Sequence, residues 1–145
     1  MGNHYELPCQ IVELDEEYTR QDLLKFIEVG CKKLVPNAVQ YPSFFGIDDN
    51  LTMYMVDLSD LFRRRDNQFI ITAMKSFIQT NNITLCGLAI ENTRSLSIII
   101  QDLDSAAHYI YPIKVYKNGL RSMGKRKLLT KQEPLWKFYS KGATH

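Results

Sequence analysis

Residues 83–101 have the sequence ITLCGLAIENTRSLSIIIQ. The first eight of these residues are apolar on both alternating faces apart from Thr84, which is typical of a central strand covered on both sides. The polar run at 92–95 predicts a turn, and apolar residues return from Leu96 to Ile100. This pattern predicts a central strand that is followed, after a short turn, by a second strand.

Upstream of this pair, apolar residues repeat at helical spacing in two places. Residues 20–35 form one apolar stripe, with Thr19 as the expected N-cap and Pro36 as the end of the helix. A second helix is indicated by six apolar residues that repeat at the same spacing over 69–78. Between the two helices, residues 51–58 alternate as a strand does.

The remaining segments predict further strands and loops. Residues 10–14 and 109–117 read as strands, and residues 36–50 read as a loop that is rich in turn-forming residues. Pro112 places the later strand at an edge or a bulge, since proline cannot donate to a central ladder. Asn118-Gly119 indicates a hairpin that leads to a short strand.

We therefore expect an α+β fold with a mixed, mostly antiparallel sheet of four to five strands. In this expected fold, two helices pack on one face and a basic C-terminal arm follows. The 145 residues suit one domain. It would consist of an acidic core, residues 1–119, and a basic, aromatic-containing arm, residues 120–145. The arm would be either part of the same domain or a partner-binding extension.

The composition narrows the class of protein. With 45% hydrophobic and 23% charged residues, the chain is neither collagen nor a coiled-coil rod nor wholly disordered. Its charge is unevenly distributed: residues 1–113 hold nine basic and fifteen acidic residues, a net charge of −6. Residues 114–145 hold nine basic residues and Glu133 alone, a net charge of +8. Such asymmetry suggests an interaction surface or a molecule whose halves attract each other.

The sequence lacks the motifs of several common catalytic and ligand-binding sites. The scattered glycines form no phosphate-binding loop, the three histidines have no metal-ligand spacing, and no nucleophile-elbow serine occurs. The three cysteines contain no Cys-x-x-Cys pair and predict reduced thiols. We therefore expect no cofactor, no bound metal, no secretory leader and no membrane span, in a protein that resides in the cytoplasm.

Four acidic residues leave an enzymatic alternative open. They follow predicted strands and would suit a metal-dependent nuclease or phosphodiesterase if they converged at one edge of the sheet. The competing interpretation is that acids at strand ends only flank turns and cap helices. These weak catalytic candidates are Asp57, Glu91, Asp102 and Asp104.

The main functional hypothesis rests on basic residues that are interleaved with aromatic ones, as in proteins that bind nucleic acid. The expected function is a small non-enzymatic binding module whose basic segment contacts a polyanion, either a nucleic acid or an acidic protein surface. The arginine run at 63–65 could instead pair with acids near it. The candidate polyanion-binding residues are Lys114, Lys117, Arg121, Lys125, Arg126, Lys127, Lys131, Lys137, Arg63, Arg64 and Arg65.

A second binding hypothesis is a protein-directed regulator or inhibitor. It would use Trp136, Phe138 and Tyr139 as apolar anchors, since large rigid side chains dominate protein interfaces. A docked final segment with solvated lysines is the competing structural interpretation. The strand around Pro112 also leaves room for a homodimer, and no membrane partner is expected.

Overall fold

The computed structural model describes residues 7–63, 66–92, 94–129 and 138–139, which form eight strands and three helices. The strands are β1 (Cys9–Glu13), β2 (Ser43–Asp48), β3 (Thr52–Asp57), β4 (Ile83–Glu91), β5 (Ser95–Asp102), β6 (Ala106–Val115), β7 (Arg121–Met123) and β8 (Lys127–Leu129). The helices are α1 (Arg20–Leu34), α2 (Ser59–Phe62) and α3 (Asn67–Thr80).

All neighbouring strands pair antiparallel in one curled sheet with the order β1-β3-β2-β4-β5-β6-β7, and β8 pairs with β6 beside β7. The α+β class is confirmed, but the expected four to five strands were too few. The expected mixed sheet is also corrected, because β3 and β4 run in the same direction but are separated by β2.

The predicted central strand is confirmed as β4, and the strand predicted after the turn is confirmed as β5. Residues 96–101 of β5 are all buried, and Leu88 and Ala89 of β4 are fully buried. Side chains alternate between two apolar clusters on opposite faces of the sheet. Ile98 and Ile100 lie in the first cluster, whereas Ile99 lies in the second.

The helices cover opposite faces, which corrects the expectation that both pack on one face. Helix α1 contributes Leu23, Leu24 and Ile27 to the first cluster, whereas α2 and α3 contribute Leu61 and Ile70 to the second. The physical reason lies in β4 and β5 themselves, because a strand pair that is apolar on both sides needs an apolar layer on each side.

The N-terminus of α1 has the cap that the sequence predicts. Thr19 accepts a hydrogen bond from the backbone N–H of Asp22, and the Asp22 carboxylate accepts one from the backbone N–H of Thr19. These two bonds satisfy donors that a bare helix start leaves free. The second predicted helix is confirmed as α3, and the four-residue helix α2 precedes it. Asp66 caps α3 by accepting a hydrogen bond from the backbone N–H of Phe69.

The predicted loop at 36–50 contains a strand instead. Residues 43–48 form β2, which lies between β3 and β4 and buries Phe44 completely. The turn from β2 into β3 is closed by Asp48, whose Oδ1 accepts from the backbone N–H groups of Asn50 and Thr52 at 2.9 Å. Turn-forming residues at both ends of this short strand concealed it in the sequence.

The segment after β6 adds strands to the sheet. Residues 113–115 of β6 pair with β7, and residues 108–110 pair with β8 on the same side. Pro112 lies between these two pairings, where the missing N–H removes no ladder bond, and its carbonyl accepts from the Gly124 N–H at 2.7 Å. The outer edge of β6 is therefore occupied, and of the two predicted alternatives, an edge or a bulge, Pro112 does not mark a free edge but an interruption of the outer ladder.

None of the helices in the described ranges has the length and apolarity that crossing a membrane requires.

Gly87 of β4 lies where the Ile27 side chain of α1 leaves no room for a Cβ. A Cβ at this position would overlap Ile27 Cδ1 and would lie 3.0 Å from Ile100 Cδ1. We expect Gly87→Ala to lower the free energy of unfolding by about 1–3 kcal/mol, the usual cost of overpacking a core. Urea titration followed by circular dichroism measures this change.

Gly30→Ala in α1 is the matched control, because a Cβ there meets no atom within 4 Å. This substitution should stabilise the protein by about 0.4–1 kcal/mol, since alanine is the better helix former. Equal effects of the two substitutions would contradict the packing that the structure shows at Gly87.

Candidate polyanion-binding surface

The β6–β7 hairpin and β8 carry basic residues and no acidic ones. No Asp or Glu occurs in the sequence between Asp104 and Glu133. Four lysines in this stretch are exposed and form no ion pair with any residue that the structure describes. We call these four residues the basic hairpin surface: Lys114, Lys117, Lys125 and Lys127.

The strand register determines on which face of the sheet two of these lysines lie. Lys127 pairs with Ile110 of β6, and Lys114 follows four residues later on the same strand. Paired residues, and residues an even number apart on a strand, share a face, so both lysines lie on the α3 side of the sheet. Four residues of strand separate their Cα atoms by roughly 14 Å.

The other two lysines lie in the connections. Lys117 lies in the turn between β6 and β7, and Lys125 lies between β7 and β8. Tyr116, beside Lys117, has half of its surface exposed, with its hydroxyl 3.2 Å from Ser122 Oγ. The surface therefore combines four cations with an exposed aromatic ring that a second hydroxyl orients.

Arg121 is engaged inside the protein. Its guanidinium pairs with the Glu91 carboxylate, whose side chain is only 3% exposed. Glu91 also accepts a hydrogen bond of 2.8 Å from the backbone N–H of Gln40. This ion pair connects β7, the end of β4 and the segment before β2, so the Arg121 charge is satisfied internally.

Arg126 also has an internal partner. Its guanidinium lies 3.4 Å from Glu28 Oε2 on α1 and 5.6 Å from the centre of the Tyr109 ring. The Tyr111 hydroxyl donates to the same Glu28 oxygen at 2.7 Å. Burial, together with the adjacent Glu28 carboxylate, raises the pKa of Tyr111 above its ordinary value. Arg126 therefore connects the segment before β8 to α1.

Of the remaining basic candidates, the structure describes Arg63. Arg63 forms an exposed ion pair of 3.3 Å with Asp60, as expected for an i,i+3 pair on one turn. The other members of the arginine run, Arg64 and Arg65, and the C-terminal candidates Lys131 and Lys137 lie outside the described residues.

Two of the three apolar anchors proposed for a protein partner, Phe138 and Tyr139, lie in the protein's own core. Phe138 and Tyr139 are 4% and 8% exposed and pack in the cluster on the α3 side. The backbone N–H of Phe138 donates to Gln101 Oε1 at 2.7 Å, and the Tyr139 hydroxyl donates to the Ile83 carbonyl at 2.9 Å. Their side chains are thus occupied internally, and Trp136 lies outside the described residues.

The four candidate catalytic acids do not form one cluster. Asp57 and Glu91 lie at one end of the sheet, separated by the start of β2. Asp102 pairs with Leu85, six residues from Glu91 along β4, so it lies roughly 20 Å away towards the other end. Among the described residues, no group of three or more His, Cys, Asp or Glu side chains is arranged to hold a metal ion.

Local contacts account for most of these acids. Asp57 Oδ1 accepts from the backbone N–H and the hydroxyl of Ser59 at the start of α2. Asp102 forms an ion pair of 3.0 Å with Arg20, and the exposed Asp104 follows it in the turn. Burial alone would raise the pKa of Asp102, but hydrogen bonds from Ser105, Asp104 and Arg20 hold it below its ordinary value.

An apolar groove between α1 and the strands β2 and β3 was not anticipated from the sequence. It encloses about 630 Å³, and its walls include the partly exposed rings of Phe26, Tyr41 and Phe45. The signal was present in α1, since Phe26 and Val29 extend its apolar surface beyond the stripe that faces the sheet. Every buried polar side-chain atom in the described residues has a hydrogen-bond partner.

Comparison of the chain with protein-family models, with curated proteins and with solved structures gave no match.

Replacing Arg121 tests whether a cation that is paired inside the protein contributes more to stability than an exposed, unpaired lysine. Arg121→Ala leaves a buried carboxylate without its counter-charge, and we expect a loss of roughly 3 kcal/mol in the free energy of unfolding. Lys117→Ala is the control, since removing an unpaired surface lysine changes stability by about 0.5 kcal/mol or less. Urea titration of both variants should separate them clearly, and similar losses would contradict this assignment.

Proposed function

We propose that this protein is a small binding module that holds single-stranded nucleic acid by its phosphate backbone, through the basic hairpin surface. The observation that carries the proposal is the presence of four exposed lysines that no described acid neutralises. Lysines that contact phosphates release condensed counterions, which supplies affinity without reading the base sequence.

The types of residue on the surface support a sequence-independent mode of binding. The arginines of this region, Arg121 and Arg126, would give planar bidentate recognition, but both are paired with acids of the protein itself. The free cations are lysines, which act as point charges towards phosphate. An exposed ring such as Tyr116 stacks on an unpaired base, whereas a base inside a duplex has no free face.

The binding test is a salt series with a fluorescently labelled oligothymidylate strand. If the four lysines each contact one phosphate, the logarithm of the association constant should fall with the logarithm of salt concentration with a slope near −3. A variant with glutamine at Lys114, Lys117, Lys125 and Lys127 should bind on the order of 100-fold more weakly at low salt.

The control has the same change of net charge at another place. Residues 1–113 contain four lysines, Lys25, Lys32, Lys33 and Lys75, and replacing all of these by glutamine should leave binding nearly unchanged. Equal weakening in both variants would show that net charge alone drives binding and would overturn the proposed site.

Polyglutamate distinguishes the other class of polyanion. If the protein binds labelled polyglutamate but not the oligothymidylate, the basic hairpin surface serves an acidic protein partner, and the nucleic-acid proposal is wrong. If it binds oligothymidylate and duplex DNA equally, the proposed role of the Tyr116 ring is wrong.

A further inference from the structure

Strand β1 is the outermost strand at one side of the sheet and pairs with β3 alone among the described strands. All five of its residues are exposed. Its two aliphatic residues point to opposite faces, and Ile11 and Val12 are 62% and 42% exposed. A strand edge of this kind presents backbone donors and acceptors that another strand can pair with.

The hydrogen bonds to β3 define which backbone groups are free. The Pro8 carbonyl accepts from the Asp57 N–H at 3.1 Å, and the Leu14 N–H donates to the Leu51 carbonyl at 2.8 Å. In an antiparallel pair, bonded residues alternate with residues whose N–H and C=O groups point outwards. Since residues 8 and 14 bond to the β3 side, the outward groups belong to Cys9, Ile11 and Glu13.

This edge has few of the features that normally prevent strands from adding to it. The register between β1 and β3 runs through five consecutive pairs without a bulge. The strand contains neither lysine nor proline, and its single charge, Glu13, lies at its end. Protected edges instead carry central charges, prolines or bulges that interrupt the ladder.

We propose that a second copy of this chain pairs with β1 edge to edge, antiparallel, with the two Ile11 residues facing each other on a twofold axis. Cys9 of each copy then faces Glu13 of the other, and Gln10 faces Val12. All three outward-pointing residues meet outward-pointing residues, so three pairs form with two hydrogen bonds in each.

A second copy of β1 fits this edge in both register and charge. Centring the pair on Ile11 makes all five residues of β1 overlap, whereas a shift of two residues leaves only three overlapping. The charges of residues 7–15 are compatible with this pairing. Glu13 faces Cys9 of the other copy and Asp15 faces Leu7, so no acid faces another acid. The inference does not rest on nucleic-acid binding, because the basic hairpin surface lies at the opposite end of the strand order.

Sedimentation over a concentration series tests the pairing. The wild-type chain of 16.9 kDa should approach twice this mass as concentration rises. Ile11→Lys should remain monomeric, because two ammonium groups would face each other at the axis. Val39→Lys is the matched control, since Val39 is 63% exposed but lies in a connection outside the strands, and this variant should dimerise as the wild type does.

A wild-type chain that stays monomeric at every concentration overturns the proposal, and so does a dimer that Ile11→Lys leaves intact. Because Ile11 is largely exposed in the single chain, its replacement should preserve the fold, which circular dichroism verifies. The glutamine variant of the basic hairpin surface should dimerise normally, so failure of the binding proposal and failure of this one give different results.

Cysteine cross-linking tests the register itself. In a background with Cys9→Ser, which removes the one exposed native thiol of the described residues, Ile11→Cys places two thiols across the axis. Directly bonded pairs have Cα atoms about 5.5 Å apart, within disulfide range. Val12→Cys in the same background is staggered, with Cα atoms roughly 8 Å apart, beyond that range.

Under mild oxidation, Ile11→Cys should form covalent dimer on the order of tenfold faster than Val12→Cys. Equal rates would show random collision instead of the proposed register and would overturn it.

Discussion

The rest of the structure depends on the burial of β4 and β5 on both faces. Each strand sends alternate side chains into one of two apolar clusters, so the sheet needs cover above and below. Helix α1 provides one layer, and α2, α3 and the pair Phe138–Tyr139 provide the other. The demand for two layers at the centre leaves the sheet margins less covered, and both proposed surfaces lie at those margins.

The sequence predicted the elements with strong local signals. The capping box at Thr19, the helical repeat in α3 and the both-faced apolar run of β4 each specify their structure through neighbouring residues. The predicted arrangement was less successful. A strand buried on both faces already requires two layers, so packing both helices on one face contradicted the signal of β4 itself. Strand β2 was missed because six residues between turn formers carry too little periodicity to reveal a strand.

The composition of the candidate surface could be predicted only in part. The basic run after residue 113 was visible, but which cations remain free depends on contacts that are distant in sequence. Arg121 reaches Glu91, thirty positions earlier, and Arg126 reaches Glu28 on α1. Such pairs follow from strand register and helix placement, and local sequence signals specify neither.

These two pairs also change the meaning of the charge asymmetry along the chain. Part of it holds the molecule together, because the arginines of the basic segment bind acids of the acidic body. The planar guanidinium suits this task, since it is weakly hydrated and donates in a fixed geometry to a buried carboxylate. A lysine ammonium is more strongly hydrated and costs more to bury, and the four described lysines of the segment accordingly stay in solvent. In this segment the two described arginines thus pair with acids of the protein itself, whereas the four described lysines remain available for binding.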